Sequence, residues 1–408
     1  MAAIALQNQD CGYGANSSNY HQNQRVMRRI MKPRDPRPCP HLWILNDSCL
    51  NCGKKVQNHQ LHAMPYSKFH KNTKVHLNKS FNVETKTIIK SPNKMCLVLD
   101  LDHTLLNSTP LDSLSLEENY LKNIRQTSQG VALKNGLYRL EHMGIMTKLR
   151  PCLRKFLDEA SKMYEMYIYT MGDRPYALEM AKLLDPDNKY FNSRIISRDD
   201  CQLKHQKSLN AIQKPENTVL ILDDTPSVWP NNKDNLIVMD RYMYFSLSYH
   251  KFGHNCKSLA ELKRDEDESD GALSSVLQVL KRIHHDYYVD NAKTKEINAI
   301  HLLKEARRRV LRGCKLVFSG VVSKNCEASN HRWWKMAEEL GATCVSEVES
   351  SVTHVVSVDG GTEKSRRGVE QGKFVVHPRW LEAAYYLWRR QLEHYFPVKH
   401  QLKINTPY

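Results

Sequence analysis

The sequence predicts an α/β protein built on a parallel sheet with helices on both faces. Three short, mainly apolar runs have the character of strands buried on both faces, as in parallel sheets. They span residues 95–99, 164–170 and 219–222. Segments with the apolar spacing of helices begin near residues 150 and 174. Each run ends in polar residues, and this edge of an open α/β sheet is where ligands bind.

The first run ends in two acids two residues apart, Asp100 and Asp102, followed by His103 and Thr104. Carboxylates crowded at a strand end repel each other unless a cation lies between them or one takes a proton. Mg²⁺ suits this position because it prefers hard oxygen ligands and keeps waters that a phosphate can displace. The alternative is a loop with two solvated acids, since short motifs also occur by chance.

The composition places most of the positive charge before this motif. The 408 residues carry a net charge of +16, and residues 1–94 hold 15 Lys and Arg against four Asp and Glu, a net +11. A basic arm suits an acidic partner or nucleic acid, whereas a solvated tail is the alternative. Nothing else in the sequence indicates direct nucleic-acid binding. Residues 1–36 are polar and predicted to be disordered.

Targeting signals are weak or absent in the sequence. The basic cluster at residues 25–34 is either a nuclear import signal or a solvated run. The first ten residues lack the apolar core of a secretory signal, and no apolar run is long enough to span a membrane. Eleven cysteines form no regular disulfide framework. We therefore predict an intracellular, reduced protein without a membrane partner.

A cluster of cysteine and histidine lies within residues 37–93, a basic lead-in to the first predicted strand. Cys49 and Cys52 have the spacing of a zinc knuckle, which presents two thiolates to one ion. Cys39 and His41 would complete four ligands, although their spacing is shorter than usual. The pattern therefore leaves two possibilities, a structural Zn²⁺ site or reduced, unliganded cysteines.

The ends of the second and third runs supply the other candidate site residues. Thr170 ends a strand before a turn into a helix, where a hydroxyl and backbone amides can hold a phosphoryl oxygen. Asp223 and Asp224 end the third strand, and Lys207 precedes them by sixteen residues. In this order, these elements and the first motif resemble the four motifs of the haloacid dehalogenase superfamily.

That resemblance implies both the fold and a division of roles. It implies a Rossmann-like parallel sheet in which Asp100 attacks phosphorus and Asp102 acts as acid and base. Lys207 would neutralise the attacking carboxylate and the phosphate, with Asp223 orienting it. Thr170 would hold a phosphoryl oxygen. The magnesium ligands would be Asp100, the backbone carbonyl of Asp102, and Asp224.

The residues within these motifs indicate a narrower family than the superfamily. Residues 94–255 resemble the RNA polymerase II C-terminal-domain phosphatases, and the short insert and Cys/His cluster resemble the plant phosphatase-like members. The resemblance implies a nuclear protein serine phosphatase, with Mn²⁺ or Co²⁺ as possible replacements for Mg²⁺. It also implies the phosphorylated polymerase tail as substrate and general transcription factors as candidate partners. Thr104 and Arg174 would contact the substrate, and Asp173 departs from the family pattern.

The remaining sequence divides into a linker and a second globular unit. The phosphatase domain is predicted at residues 94–258. After the first motif, an insert of about 40 residues with a β-hairpin at residues 136–149 is too short for a large cap. An acidic linker, residues 265–271, and two helices fill residues 259–309, the first with one apolar face from residue 272 to 285.

Residues 310–400 have a βαββαβα order that resembles a BRCT domain. Four of the six tryptophans of the chain lie here, at positions 333, 334, 380 and 388, and are predicted to build its core. Ser319 beside Gly320, and Thr362 two residues before Lys364, fit the phosphate-binding pattern of such domains. The alternative is a turn serine and an exposed lysine.

Two other functions remain open from the sequence. One is a small-molecule phosphatase of the same fold, although the short insert indicates an open site that suits a protein substrate better. The other is a scaffold that only binds phosphorylated partners through residues 310–400. The complete motif set argues against a scaffold, because a protein without activity has no need of Asp102 and Lys207.

Overall fold

The structure is a computed structural model, and it describes residues 94–123, 136–201, 203, 205–291, 298–321 and 327–398 together with three short strands nearer the N-terminus. These three are β1 (Trp43–Leu45), β2 (Ser48–Cys49) and β3 (Thr73–Val75), which form an antiparallel sheet in a unit of their own. The predicted tail at residues 1–36 lies outside the described residues, as do Cys39, His41 and Cys52.

A five-stranded parallel sheet forms the centre of the catalytic half, as predicted. The elements of this half, in chain order, are β4 (Met95–Leu99), β5 (Leu106–Pro110), β6 (Leu137–Leu140), β7 (Ile145–Leu149), α1 (Leu153–Met163), β8 (Tyr164–Tyr169), α2 (Arg174–Leu184), β9 (Ile195–Ile196), β10 (Val219–Asp223), β11 (Leu236–Val238) and α3 (Ser246–Lys251). The sheet has the order β11-β10-β4-β8-β9, and every neighbouring pair is parallel. The first acidic strand therefore lies between the two other motif strands.

Both faces of β4 are buried. Because alternate side chains point to opposite sides of a strand, β4 contributes to two separate cores. Met95, Leu97 and Leu99 pack in one core, with residues of α1 and α2. Cys96 and Val98 pack in a second core on the other face, which contains Trp229. Short 3₁₀ turns, rather than long helices, carry the chain through this second face.

The predicted hairpin is part of a three-stranded antiparallel sheet. The order is β5-β7-β6, so the strand directly after the first motif pairs with the hairpin. Asn107 fixes the sheet to the chain before α3, because its buried side-chain oxygen accepts hydrogen bonds from the backbone of Tyr244 and Phe245. The insert thus packs beside the motif loop.

The predicted linker helix is part of the catalytic core. The elements that complete the chain are α4 (Ala272–Asn291), α5 (Ala299–Arg308), β12 (Lys315–Ser319), α6 (Arg332–Glu339), β13 (Thr343–Val345), β14 (His354–Ser357), α7 (Glu363–Glu370), β15 (Phe374–Val376) and α8 (Arg379–Leu387). The apolar face predicted for α4, which includes Val276, Leu280 and Ile283, is fully buried in the same core as β4. The Tyr164 hydroxyl donates to the Leu280 carbonyl at 2.7 Å, which fixes α4 to the sheet.

A four-stranded parallel sheet, in the order β13-β12-β14-β15, forms the C-terminal domain. Helix α7 lies very close to β14, since a Cβ on Gly368 would lie 2.6 Å from Val355 Cγ2. Trp380 is fully buried in the domain core, as predicted. The prediction is wrong for Trp388, which packs in the catalytic core instead, because the residues after α8 turn towards that domain.

The cysteines and the hydropathy of the helices bear on two further predictions. Cys96, Cys152, Cys201, Cys314 and Cys344 are free thiols, and the reduced state predicted for the whole protein stays a prediction. Among the helices that the structure describes, none combines the length and hydropathy needed to cross a bilayer.

Candidate active site

Three carboxylates meet at the carboxyl edge of the central sheet. Strands β4 and β10 pair in parallel with Leu99 opposite Leu222, so the residues that follow them lie side by side. Oxygens of Asp100, Asp223 and Asp224 lie within 4.8 Å of one another, and all three residues are buried. The structure thus brings together the acids that the sequence placed at two separate strand ends.

Lys207 neutralises two of these acids. Its Nζ donates to Asp100 Oδ1 at 2.5 Å and to Asp223 Oδ2 at 2.6 Å, and its side chain is only 1% exposed. Burial alone would lower the pKa of Lys207, but the two carboxylates raise it above its ordinary value. The lysine is therefore a fixed cation beside Asp100.

Asp223 is fully engaged by the protein. Its Oδ2 also accepts the indole N–H of Trp229 at 2.8 Å, and its Oδ1 accepts the backbone N–H of Thr225 at 2.8 Å. These bonds leave Asp223 to hold Lys207 in place, which is the role predicted for it. Burial and the charge of Asp223 raise the pKa of Asp100, while Lys207 opposes the shift.

Asp224 is held through one carboxylate oxygen. Its Oδ2 accepts the Thr225 hydroxyl at 2.9 Å and Arg241 Nε at 2.7 Å. The sequence reasoning missed Arg241, although it lies just past β11 at the same edge of the sheet, which is a usable signal. The Thr104 hydroxyl accepts the backbone N–H of Asp224 at 3.1 Å, and Thr104 is fully buried. The structure thus places Thr104 against the backbone of Asp224, and its predicted contact with substrate stays a prediction.

Asp102 bonds to a residue that the sequence reasoning also missed. The Tyr176 hydroxyl donates to Asp102 Oδ1 at 2.5 Å and bonds to Ser108 Oγ at 3.0 Å. Burial raises the pKa of Asp102, and the bond from Tyr176 opposes this rise. Burial also raises the pKa of Tyr176 well above its usual range, so its hydroxyl stays a donor. No sequence signal marked Tyr176, because its role depends on the packing of α2 against β4.

The turn after β8 places Thr170 and Tyr176 together. The buried Thr170 Oγ1 accepts the backbone N–H of Gly172 at 3.0 Å, which leaves its own proton free to bond a phosphoryl oxygen. A Cβ on Gly172 would lie 2.6 Å from Tyr176 Cδ1, so glycine is required there. Asp173, the departure from the family pattern, caps α2 by accepting the backbone N–H of Tyr176.

Arg174 is already bonded to the protein. Its Nη1 donates to the Ile195 carbonyl at 2.6 Å and to Asp200 Oδ2 at 3.1 Å, and its backbone N–H donates to Asp199. The side chain is 40% exposed. Arg174 therefore ties α2 to the residues after β9, and these bonds do not direct it at the acids.

The donor set fits a hard divalent cation. Asp100 and Asp224 each present a carboxylate oxygen to the cluster, and oxygen is the ligand type that Mg²⁺ prefers. The side chain of Asp102 is not part of this group, since it is bonded to Tyr176. The backbone carbonyl predicted as its contribution stays a prediction.

The C-terminal domain assembles part of the predicted phosphate site. The hydroxyls of Ser319 and Thr362 share a hydrogen bond at 2.7 Å, and Gly320 has a φ of +65°, which favours glycine. Lys364 instead donates to the Ser346 carbonyl at 2.5 Å and pairs with Glu347 at 3.2 Å. The hydroxyl pair is therefore in place, whereas the lysine is directed at a neighbouring loop.

Comparisons with known proteins follow the same division of the chain. Residues 95–291 match the NLI interacting factor-like phosphatase family, and residues 306–384 match the BRCA1 C Terminus (BRCT) domain. The chain is 47% identical to RNA polymerase II C-terminal domain phosphatase-like 4 of Arabidopsis thaliana, covering 90% of this chain and 83% of that protein. It is 38% identical to phosphatase-like 3 of the same plant, covering 78% of this chain and 26% of that protein.

A solved structure gives the same result. The fold matches the fission yeast RNA polymerase II CTD phosphatase Fcp1 with a TM-score of 0.57 at 27% identity, over 75% of this chain and 96% of that one. The catalytic and C-terminal halves thus occur together in a known protein phosphatase. The chain belongs to the RNA polymerase II C-terminal-domain phosphatase-like family, protein phosphatases that combine this catalytic fold with a BRCT domain.

Proposed function

We propose that this protein removes phosphate from phosphoserines in the heptad-repeat C-terminal domain of RNA polymerase II, and so regulates transcription in the nucleus. The observation that carries the proposal is the buried cluster in which Lys207 bridges Asp100 and Asp223 beside Asp224. The names of the relatives supply the substrate class. The cluster supplies the chemistry.

The reaction proceeds in two displacements at phosphorus. A carboxylate oxygen of Asp100 attacks phosphorus, the bond from phosphorus to the serine oxygen breaks, and an aspartyl-phosphate forms. Asp102 gives its proton to the departing serine oxygen. It then takes a proton from water, whose oxygen attacks phosphorus. The bond from phosphorus to the Asp100 oxygen breaks, inorganic phosphate leaves, and the Asp100 carboxylate is restored. Burial raises the pKa of Asp102, and this shift favours the protonated form that the first step needs.

Thr170 and Lys207 hold the phosphoryl oxygens during both steps. Catalysis of phosphoryl transfer depends mainly on position and electrostatic stabilisation, and both groups are fixed before substrate binds. The free proton of Thr170 and the ammonium of Lys207 are the donors for this role. Thr104 and Arg174, predicted to contact substrate, are proposed in addition to position the motif loop and α2.

Asp100 and Asp224, with the backbone carbonyl of Asp102, are the proposed ligands of Mg²⁺, which Mn²⁺ or Co²⁺ could replace. The ion would neutralise charge on the phosphate and the carboxylates. A second metal, Zn²⁺, is proposed for Cys39, His41, Cys49 and Cys52. The knuckle spacing of the last two supports it.

The BRCT domain is the proposed second contact with phosphorylated partners. The hydroxyl pair of Ser319 and Thr362 supports phosphate binding, and Lys364 would have to leave Ser346 and Glu347 to join it. General transcription factors are further candidate partners of the protein.

Substrate preference tests the proposed function. Turnover of phosphorylated heptad peptides should exceed turnover of sugar phosphates, and site-specific analysis of a multiply phosphorylated peptide should show which serine loses phosphate. Preference for sugar phosphates would favour the small-molecule alternative. Absence of turnover of either substrate or of a generic aryl phosphate would favour the scaffold.

A further inference from the structure

The segment predicted to be an acidic linker lies against the motif loop. We call residues 265–270 the acidic strap. The side chain of Glu266 is only 10% exposed, and Asp265 is also largely buried. Both carboxylates contact cations of the chain around β7, next to the loop that carries Asp100 and Asp102. A linker that only joined two domains would keep such charges in water.

Arg150 connects the strap to the motif loop. Its Nε and Nη2 donate to the two carboxylate oxygens of Glu266 at 2.9 and 2.6 Å, a bidentate pair with a defined geometry. Its Nη1 donates to the Thr104 carbonyl at 3.0 Å, and its side chain is fully buried. Glu266 thus fixes the plane of a guanidinium whose remaining edge holds the motif loop.

Thr104 carries this connection to the metal-binding acids. Its hydroxyl accepts the backbone N–H of Asp224 at 3.1 Å, so the residue touches Arg150 through its carbonyl and Asp224 through its side chain. The backbone N–H of Arg150 also donates to the Leu105 carbonyl at 2.9 Å. A shift of Arg150 would therefore move the first motif relative to the acidic pair.

Asp265 holds the same loop from its other side. It pairs with Lys148 at 2.5 Å and accepts the Tyr242 hydroxyl at 2.8 Å. The backbone N–H of Tyr242 donates to the His103 carbonyl at 2.7 Å, and the His103 ring donates to the Tyr242 carbonyl at 3.2 Å. His103 has a φ of +65°, a conformation that a non-glycine residue keeps only when its surroundings hold it.

We infer that the acidic strap is a positioning element for catalysis, with Glu266 as its principal positioning residue. Glu266 acts through Arg150 and Thr104 on the distance between Asp100 and Asp224, and Asp265 acts through Tyr242 on His103. The other end of the strap pairs with the BRCT domain, where Arg389 donates to Asp270 at 3.1 Å. That pair is exposed and therefore weak, so the buried end does the positioning.

The test compares Glu266→Gln with Glu268→Gln in the full-length enzyme. Both changes remove one negative charge from the strap, but Glu268 is exposed. Because misplacement by about 1 Å can cost roughly a hundredfold in rate, Glu266→Gln should lower kcat for an aryl phosphate by about ten- to a hundredfold. KM should change little, and Glu268→Gln should match the unchanged enzyme.

A second readout does not depend on turnover. The backbone N–H groups of Thr104, Leu105 and Leu106 all donate to the Leu101 carbonyl, so they report on the motif loop. Their hydrogen exchange should quicken in Glu266→Gln and not in Glu268→Gln. An unchanged kcat with unchanged exchange in folded Glu266→Gln, or equal losses in both variants, would overturn the inference. Hydrogen exchange needs no substrate, so this result tests the inference even if the proposed substrate is wrong.

Glu266→Gln removes the bidentate carboxylate partner of the buried Arg150, and the variant could fail to fold. Tyr242→Phe is the second variant, because it removes only the hydroxyl bond to Asp265 and keeps the Arg150–Glu266 pair. It should lower kcat several-fold at constant KM and quicken exchange in the motif loop. Unchanged kcat and exchange in Tyr242→Phe would refute a positioning role for this end of the strap.

Discussion

Tyr176→Phe is the change that most directly tests how Asp102 is tuned. The substitution keeps the ring that packs on Gly172 and removes the hydroxyl that donates to Asp102 at 2.5 Å. This bond favours the charged carboxylate and holds the pKa of Asp102 below the level that burial alone would set. Without it, the pKa of Asp102 should rise further.

The size of the effect follows from the kind of bond that is lost. A hydrogen bond to a charged group contributes about 1.5–3 kcal/mol, and about 1.4 kcal/mol corresponds to a factor of ten in an equilibrium. At a given pH, the ratio of protonated to charged Asp102 should therefore rise about ten- to a hundredfold. Because the general acid must start protonated, the alkaline limb of kcat/KM should move to higher pH.

The maximal rate, kcat, should fall in Tyr176→Phe. Negative charge builds on Asp102 as it gives up its proton, and Tyr176 stabilises that charge in the transition state. Loss of the hydroxyl should therefore lower kcat while KM for an aryl phosphate changes little. The measurement is a full pH profile of aryl phosphate hydrolysis for both enzymes.

Tyr164→Phe is the matched control for this profile. Tyr164 is also buried and also donates one hydroxyl bond, but to the Leu280 carbonyl of α4. It lies opposite Met95, at the end of the sheet away from the acids. It should lose stability without moving the alkaline limb. If Tyr176→Phe leaves the limb in place, or if Tyr164→Phe shifts it equally, Tyr176 does not tune Asp102.

Three further outcomes are expected. Trp388→Ala should lower the free energy of unfolding by about 3–5 kcal/mol, measured by denaturant unfolding, since Trp388 is buried in the catalytic core. Replacing Ser319 and Lys364 together by Ala should weaken apparent affinity for long phosphorylated repeats, leaving aryl phosphate and single-repeat kinetics unchanged; unaltered long-repeat kinetics would exclude a phosphate reader. Replacing Cys49 and Cys52 by Ser should remove one equivalent of zinc in metal analysis, and equal metal content would leave only thiols.

The sequence predicted the central acids because a parallel sheet collects strand ends at one edge. Asp100 and Asp223 are 123 positions apart, yet the apolar runs before them showed that both follow buried strands. The structure adds the strand order: β10 pairs directly with β4, and this brings the two acids together. Lys207 follows no strand, and only the motif order of the superfamily indicated it.

The contacts that could not be predicted from the sequence depend on packing between distant segments. Tyr176 and Arg241 reach the acids only because α2 and the end of β11 lie beside them. Glu266 has the sequence context of a linker, and its burial depends on a distant partner, Arg150. Trp388 looked like a core residue of its own domain, but the turn after α8 directs it into the other core. Among these residues, only Arg241 had a usable sequence signal, its position just past a strand.

The most direct test of the mechanism is to locate the phosphoryl group during turnover. The enzyme is mixed with a phosphorylated heptad peptide and Mg²⁺, quenched in acid within one turnover, and digested for mass spectrometry. We expect one phosphoryl group on the peptide that contains Asp100, and no phosphoryl-enzyme or turnover with Asp100→Asn. A phosphoryl group on another residue, or magnesium-dependent turnover by Asp100→Asn, would contradict Asp100 as the nucleophile.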